Sequence, residues 1–191
     1  METGLSKKSA QHLILQKIRE KGFMQKTING AIQNTYNDIR IASFTTQKEN
    51  LLFWSHYADS HKGFCVEYDS TILPICYAFK VQYDDEYPEA IYPVPHNVIA
   101  YNPALIKSRA WEYEVGYRII FVPNADHQPK NNGISLLLKG TEMKNVYLGA
   151  NMPECNKKAI VEMIETGSFN PSIWNVSLSK SSFKLEFHEY K

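Results

Sequence analysis

Residues 51–69 read LLFWSHYADSHKGFCVEYD, and a change of period inside them decides the fold class. The first half fits a short helix in which Trp54, Tyr57, Ala58 and His61 share a face, since positions three, four and seven apart line one side of a helix. Gly63 then stands where a helix end takes a left-handed residue. From Phe64 the pattern alternates. Phe64, Val66 and Tyr68 point one way, and Cys65, Glu67 and Asp69 the other, as in a half-buried strand.

Outward from this stretch, the chain before it reads as helical. Across residues 11–31, Leu13, Ile14, Ile18, Phe23, Ile28 and, just beyond, Ile32 fall broadly on one helical face, with Gly22 and Gly30 as interruptions. Residues 39–44 are strand-like and 45–50 form a polar turn. Beyond the stretch, residues 79–83 predict a strand entering a loop rich in proline and acid, with Asp84, Asp85, Glu86, Glu89, Pro88, Pro93 and Pro95. Residues 103–108 read as the opening of a helix. Residues 110–122 alternate, with Trp111, Tyr113, Val115, Tyr117, Ile119 and Phe121 on one face and Glu112, Glu114, Gly116, Arg118 and Ile120 on the other. A loop over 124–133, an apolar run over 134–139 and a strand over 145–149 come next. A helix runs from about residue 153 to about 165, with Gly167 beyond its end, and residues 183–190 alternate again. Strands at irregular spacing with helices grouped towards the ends predict a single α+β domain over 1–191, with a helical segment over 1–38 and a mixed or antiparallel sheet, rather than regular βαβ units.

Composition narrows the function classes. Lys and Arg number 21 against 20 Asp and Glu, a net charge of +1, so no overall field draws the chain to nucleic acid or anionic lipid. Nine glycines are dispersed, and neither G-x-G-x-x-G nor G-x-x-x-x-G-K-[ST] occurs. Lys7, Lys8, Lys17, Arg19, Glu20 and Lys21 interrupt any apolar run near the start, and no stretch reaches the roughly 18 apolar residues of a membrane span. Cys65, Cys76 and Cys155 are odd in number and widely spaced, which points to reduced thiols. These features together predict a cytoplasmic chain with no membrane partner.

Two clusters carry candidate chemistry. Residues 54–63 hold two imidazoles, a phenol, a carboxylate and an ammonium. On a helix His56 lies near Asp59 and Ser60, so Asp59 can orient His56 for proton transfer near neutral pH. The alternative makes Trp54, Tyr57 and His61 the inward stripe of an amphipathic helix, with His61 hydrogen-bonded in the core. The second cluster is the polar face of the strand at 110–122, where Glu112, Glu114 and Arg118 project together. Gly116 between them marks a bulge or a close approach. The alternative there is a solvent-facing Glu–Arg pair of about 0–1 kcal/mol. No C-x-x-C or H-x-x-x-H occurs, so no metal site is expected from spacing.

At these clusters the chain resembles a bacterial and phage family known as domain of unknown function 2971. Residues 53–65, FWSHYADSHKGFC, are similar to a box of the form [ML]WSHYA-x-x-H-x-G-x-C. Trp111, Tyr113, Glu114, Tyr117 and Arg118 fit a second box, W-x-Y-E-x-E-[YW]-R, with Gly116 in place of its second Glu. Residues 143–149, MKNVYLG, resemble I-x-E-I-I-L-G, with Asn145 in place of Glu. The resemblance covers roughly residues 39–190. The N-terminal boxes of the family, a Tyr-Lys-Tyr-like opening and a Phe-Asn-Asp-Pro-Phe-like box, have no counterpart in residues 1–40, so the chain is expected to be a shortened member.

The layout of that family is similar to ADP-ribosyltransferase-like enzymes. The resemblance implies NAD or a related nucleotide as substrate rather than as a bound cofactor, and a role in phage–host conflict. It assigns His56, His61 and Glu114 as catalytic and Trp54, Tyr57, Lys62, Glu112 and Arg118 as substrate-binding. His56 or His61 then contacts ribose or phosphate, Tyr57 stacks, Glu114 meets a ribose hydroxyl, and Arg118 takes phosphate or holds Glu114. The competing reading is a non-catalytic interaction or inhibitor module with a protein partner, since two family carboxylates are replaced at Gly116 and Asn145. A third is a metal-dependent nuclease using His56, Asp59 and Glu67.

Overall fold

Tyr147 and its two neighbours on the same strand show how the main layer is built. Tyr147 packs with Trp54, Ala58, Val176 and Leu185, whereas Val146 and Leu148 pack with Met152, Ile160, Val161 and Ile164. Successive side chains of a strand point to opposite faces, so a strand buried on both sides needs a cover on each. The computed structural model describes residues 6–87, 102–123 and 129–191. Its described residues fall into two compact units, 6–39 in one and the remainder in the other.

The described residues of the first unit form two helices, α1 (Lys7–Arg19) and α2 (Phe23–Asp38). Ser6 caps α1 by accepting the Ser9 amide at 3.2 Å. The predicted break falls at Gly22, whose φ of +82° ends the helical path, while Gly30 lies within α2 without breaking it.

The described residues of the second unit form three sheets. In the first, β1 (Arg40–Thr45) pairs antiparallel with β6 (Gly116–Phe121), which also pairs antiparallel with β3 (Phe79–Lys80). The helix α3 (Leu51–Tyr57) leads to β2 (Phe64–Tyr68), an edge of the second sheet. That sheet runs β2–β7–β8–β9, with β7 (Met143–Leu148), β8 (Ser172–Leu178) and β9 (Leu185–Glu189). β7 and β8 are parallel and joined through α4 (Glu154–Thr166), as parallel neighbours require a crossover. α3 contributes Trp54 to one face of this sheet, and α4 contributes Ile160, Val161 and Ile164 to the other. A third, two-stranded parallel sheet joins β4 (Gln82–Asp84) to β5 (Ile106–Ser108). The architecture is α+β. Among the described residues no helix is long and apolar enough to cross a membrane.

Several expectations need correction. Residues 110–122 do not form one strand. Arg109–Glu114 is a 3-10 helix, Val115 takes a left-handed φ of +45°, and only then does β6 begin. The alternation of 109–114 therefore does not place Glu112, Glu114 and Arg118 on one strand face. The period of three instead brings Trp111 and Glu114 to one side. Residues 103–108 do not start an α-helix: Asn102–Leu105 is a 3-10 turn that runs into β5. The strand expected over 79–83 is split at Val81 into β3 and β4. The apolar run at 134–139 makes one isolated bridge, Asn131 to Leu136. The signature of β8 is blurred: Trp174, Val176 and Leu178 alternate, but Ile173 is apolar on the opposite face, where it packs with Val146 and Leu148, so the strand is covered on both sides. The proline-bearing loop expected near 88–95, and residues 124–128 of the loop over 124–133, lie outside the described residues.

Candidate functional site

α3 ends one turn earlier than the spacing of His61 implies, and the backbone just beyond it is unusual. Asp59, Ser60 and His61 have φ of +44°, +54° and +67°, three consecutive non-glycine residues in the left-handed region. Each such residue costs roughly 1–2 kcal/mol for an L-side chain, so the surroundings must hold the turn. The Ser60 and His61 amides donate to the Ser55 and Trp54 carbonyls at 3.2 and 2.9 Å, and Gly63 donates to Ala58 at 2.7 Å. From the end of β7, the Asn151 amide donates to the His61 carbonyl at 2.9 Å and its side chain to Ser60 at 3.1 Å. Gly63 is not itself left-handed, contrary to the expected cap. Its lack of a side chain serves close packing, since a Cβ there meets the Ala58 backbone at 3.0 Å.

This turn takes three of the expected site residues into structural duty. Trp54 is enclosed in the core and donates its indole N–H to the Lys48 carbonyl at 2.7 Å. His61 stacks on Trp54 with ring centroids 6.5 Å apart, and its Nε2 meets the Ser55 hydroxyl at 3.3 Å. Lys62 pairs with Asp59 at 3.7 Å on the surface. Asp59 is thus directed to Lys62 and does not orient His56.

The other face of α3 meets the 3-10 helix at 109–114. The Glu114 residue is only 7% exposed. Its Oε1 accepts the Tyr57 hydroxyl at 2.7 Å and its Oε2 lies 2.5 Å from the Lys107 ammonium. Thr45 donates its hydroxyl to the Glu114 carbonyl at 2.6 Å, and Asn50 reaches the Tyr113 carbonyl at 3.3 Å, so the turn is pinned to β1 and to the start of α3. Lys107 stands 4.4 Å from the centre of the Trp111 ring, a cation–π contact. Around this ion pair Phe53, Tyr57, Tyr113, Trp111 and His56 form a chain of ring contacts, with His56 edge-on to Trp111 at 6.4 Å. Tyr57 and Trp111 remain 62% and 36% exposed. The hydrogen bond to Glu114, then burial, pushes the Tyr57 hydroxyl up to about 12, so near neutral pH it is a fixed donor.

Arg118 does not hold Glu114. Its guanidinium donates to the Ala104 carbonyl, and Lys107 takes the role expected of it. Glu112 is exposed on the 3-10 helix. Gly116 marks a close approach by a side chain: its amide donates to the Tyr83 hydroxyl at 2.7 Å, and a Cβ there lies 2.9 Å from that oxygen. Lys107 escapes sequence reasoning because the alternation over 110–122 reads as a strand and hides the 3-10 helix Arg109–Glu114, which folds Glu114 back onto β5.

A second polar cluster lies on the β2–β7 pair, on the face that carries Trp54. Lys48 donates to Glu67 at 3.1 Å and to Tyr147 at 2.8 Å, and Tyr147 donates to Glu67. Burial opposes the Glu67 charge, but bonds from Tyr147 and Lys48 outweigh it and hold the carboxyl below its usual range. Asn145 stands opposite Glu67 in the register and accepts the Trp174 indole N–H at 2.9 Å. Burial pushes the neighbouring Cys65 thiol up, away from a reactive thiolate. His56, Asp59 and Glu67 are not brought together, and among the described residues no group of three or more His, Cys, Asp or Glu side chains is placed to hold a metal ion. Compared with family models, curated proteins and solved structures, the chain matches none.

Proposed function

We propose that the face formed by Tyr57, Trp111, His56 and Glu114 binds the nicotinamide–ribose end of NAD or a related nucleotide, and that the protein is an ADP-ribosyltransferase-like enzyme. The observation that carries this reading is the pair of exposed rings, Tyr57 and Trp111, standing beside a buried carboxylate that is already charge-paired with Lys107. A planar base stacks on such rings at about 1–3 kcal/mol per base. Each carboxylate oxygen has a lone pair beyond the one used by Tyr57 or Lys107, so Glu114 retains capacity to accept a ribose hydroxyl. In the transfer, the bond from ribose C1′ to the nicotinamide nitrogen breaks and its electron pair leaves with nicotinamide. An acceptor nucleophile then bonds C1′ and gives up its proton. Positive charge develops on the ribose, where Glu114 lies on the stabilising side. The resemblance to domain of unknown function 2971 supports the same placement, because both of its longer boxes supply this face. His56 is the histidine available to ligand, and His61 is a positioning residue for the turn.

A second reading, a non-catalytic interaction module, is favoured by one observation: both Glu114 oxygens are engaged within the protein, as are Trp54 and His61. A titration of the chain with NAD, monitored by thermal shift and NMR, separates the two. NAD is expected to raise the melting temperature and to move the indole signal of Trp111, because binding to the native state alone stabilises it. Trp111→Ala is expected to weaken binding about ten- to a hundredfold, matching the loss of one stacking contact, measured well below a melting temperature that its lost contacts to Lys107, His56 and Tyr113 lower. Absence of any shift at millimolar NAD sinks the nucleotide reading and leaves the interaction module.

A further inference from the structure

The inner margins of the two larger sheets face one cleft of about 1320 Å³. Every residue of β1 lines it, as do Cys65, Val66, Glu67 and Tyr68 of β2. Both are edge strands: the orders are β1–β6–β3 and β2–β7–β8–β9. Side-chain contacts span the cleft: Phe44 against Tyr68 at 5.9 Å between ring centroids, and Lys48 to Glu67 at 3.1 Å and to Tyr147 at 2.8 Å. Among the described residues no backbone hydrogen bond joins β1 to β2, and no other strand pairs with either inner edge.

The ladder phase shows which groups point into the opening. Gly116 turns its amide to Tyr83 and its carbonyl to the Val81 amide, away from β1. Because Gly116 stands opposite Thr45, the Thr45, Ser43 and Ile41 pairs are the non-hydrogen-bonded ones, and those three residues direct their N–H and C=O outward. On β2, the Gly149 amide bonds the Gly63 carbonyl, which fixes Cys65 and Glu67 as facing β7 and turns the backbone groups of Phe64 and Val66 outward. Proteins ordinarily blunt such edges by shortness, charge or bulges. The outer edges here obey that rule: β3 has two residues, and β9 carries Glu186, His188 and Glu189. Between Ile41 and Thr45, in contrast, there is neither a charge nor a proline.

We propose that this cleft is a binding site for an extended peptide segment, which enters as an additional β-strand between β1 and β2. The chemistry that satisfies two facing rows of amides and carbonyls is another main chain. The volume exceeds the roughly 300–1,000 Å³ of sites for drug-sized ligands. β1 fixes the length of the ladder at five to six residues. Ile41, Phe44, Val66, Tyr68, Ile75 and Phe121 make the walls largely apolar, and Lys48 and Glu67 at its margin neutralise each other. The occupant is therefore an uncharged segment of alternating apolar and polar residues. This site is separate from the face assigned to nucleotide, and neither depends on the other.

Amide hydrogen exchange on the full chain gives the first test. The Ile41, Ser43, Phe64 and Val66 amides are expected to exchange fast while Ala42, Phe44 and Cys65 are protected. Uniform protection along β1 overturns the proposal, because the edge is then already filled by this chain or by a second copy. Heptapeptides selected from a displayed random library on the immobilised chain provide the ligand probe. Bound peptides are expected to slow exchange at Ile41 and Ser43 and to lose at least tenfold in affinity when alternate backbone amides are N-methylated. Ser43→Pro, which removes an outward N–H without touching the bonds to β6, is expected to reduce binding to a similar degree. Peptides that bind with no response to N-methylation, or a library that yields none, overturn it independently of how Ser43→Pro folds.

Discussion

At the scale of single residues, the hydrogen bond from Tyr57 to Glu114 governs the titration of the phenol. The phenol is exposed at one edge yet donates to a buried carboxylate, and that bond, before burial, raises its pKa from the ordinary 10 to about 12. A group whose folded pKa lies above its unfolded value stabilises the fold fully below the unfolded value, and the contribution fades as pH rises through the folded one. The window here is pH 10 to about 12. Within it the melting temperature of the wild type is expected to fall more steeply than that of Tyr57→Phe. NMR of ring-labelled tyrosine is expected to show the Tyr57 transition moving back towards 10 in Glu114→Gln, which keeps an acceptor but removes the charge. An unchanged transition in that variant dissociates the shift from Glu114. Lys107→Ala leaves the Glu114 charge with Tyr57 alone, and removing one partner of a largely buried pair costs on the order of 3 kcal/mol, readable as a lower urea midpoint. The sequence made Tyr57 and Glu114 visible as candidates through their residue types. It concealed Lys107, because the alternation of 110–122 reads as a strand and hides the 3-10 helix that folds Glu114 back onto the preceding β5.

Among the elements, the left-handed turn after α3 and the 3-10 helix before β6 are where sequence patterns and structure part. Period-two alternation in 110–122 is compatible with a strand, yet the tertiary hold of Thr45 on the Glu114 carbonyl and of Tyr57 and Lys107 on its side chain turns 109–114 into a tighter coil. Helical spacing from Trp54 to His61 similarly implies one face of a longer helix, and His61 does return to Trp54, but through a turn of opposite hand. The regular parts are legible: α1 and α2 around Gly22, β1, β2, β7 and α4 all follow simple periodicity, although the apolar side chains of α1, Leu13, Ile14, Leu15 and Ile18, stay exposed. Gly149 tests how tightly the turn is held. A Cβ at this position collides with the His61 carbonyl and lies 2.5 Å from that of Gly63, two backbone atoms that cannot swing aside. Gly149→Ala is expected to cost about 3 kcal/mol or more, at the upper end of overpacking. Gly30→Ala is the counterpart: its Cβ meets nothing within 4 Å in α2, so it is expected to gain about 0.5–1 kcal/mol from helix propensity. Chemical denaturation of both variants measures the contrast, and equal effects refute it.

For the molecule as a whole, the distribution of perturbed carboxylates predicts where acid unfolding begins. Among the described residues the carboxyls held below their ordinary range are Glu67, Asp69 and Glu142, all on or beside the β2–β7 pair. Asp69 is lowered by the Thr71 hydroxyl and amide, and by Lys144 at 3.3 Å. Glu142 has no accessible surface. Burial works against its charge, but the backbone N–H groups of Glu142, Lys139 and Gly140 outweigh that, and its own carbonyl receives the Asp69 amide at 2.7 Å. For a carboxyl lowered on folding, the contribution is complete above the unfolded value, 3.8 for Asp and 4.5 for Glu, and is lost as pH falls through the folded one. Stability should therefore decline below about pH 4.5, and the loss should start in the β2–β7–β8–β9 sheet. The β1–β6–β3 sheet carries no such carboxyl on its strands, so its amides should stay protected to lower pH. Exchange measured segment by segment through the acid limb decides this. Simultaneous loss in both sheets means that the second unit unfolds as one cooperative body and that its acid sensitivity cannot be assigned to one sheet. Loss in the first sheet ahead of the second refutes the assignment. In Glu142→Gln, the uncharged side chain no longer gains from the three amide donors as a carboxylate does. That variant is expected to be less stable at neutral pH and to show a shallower decline below pH 4.5.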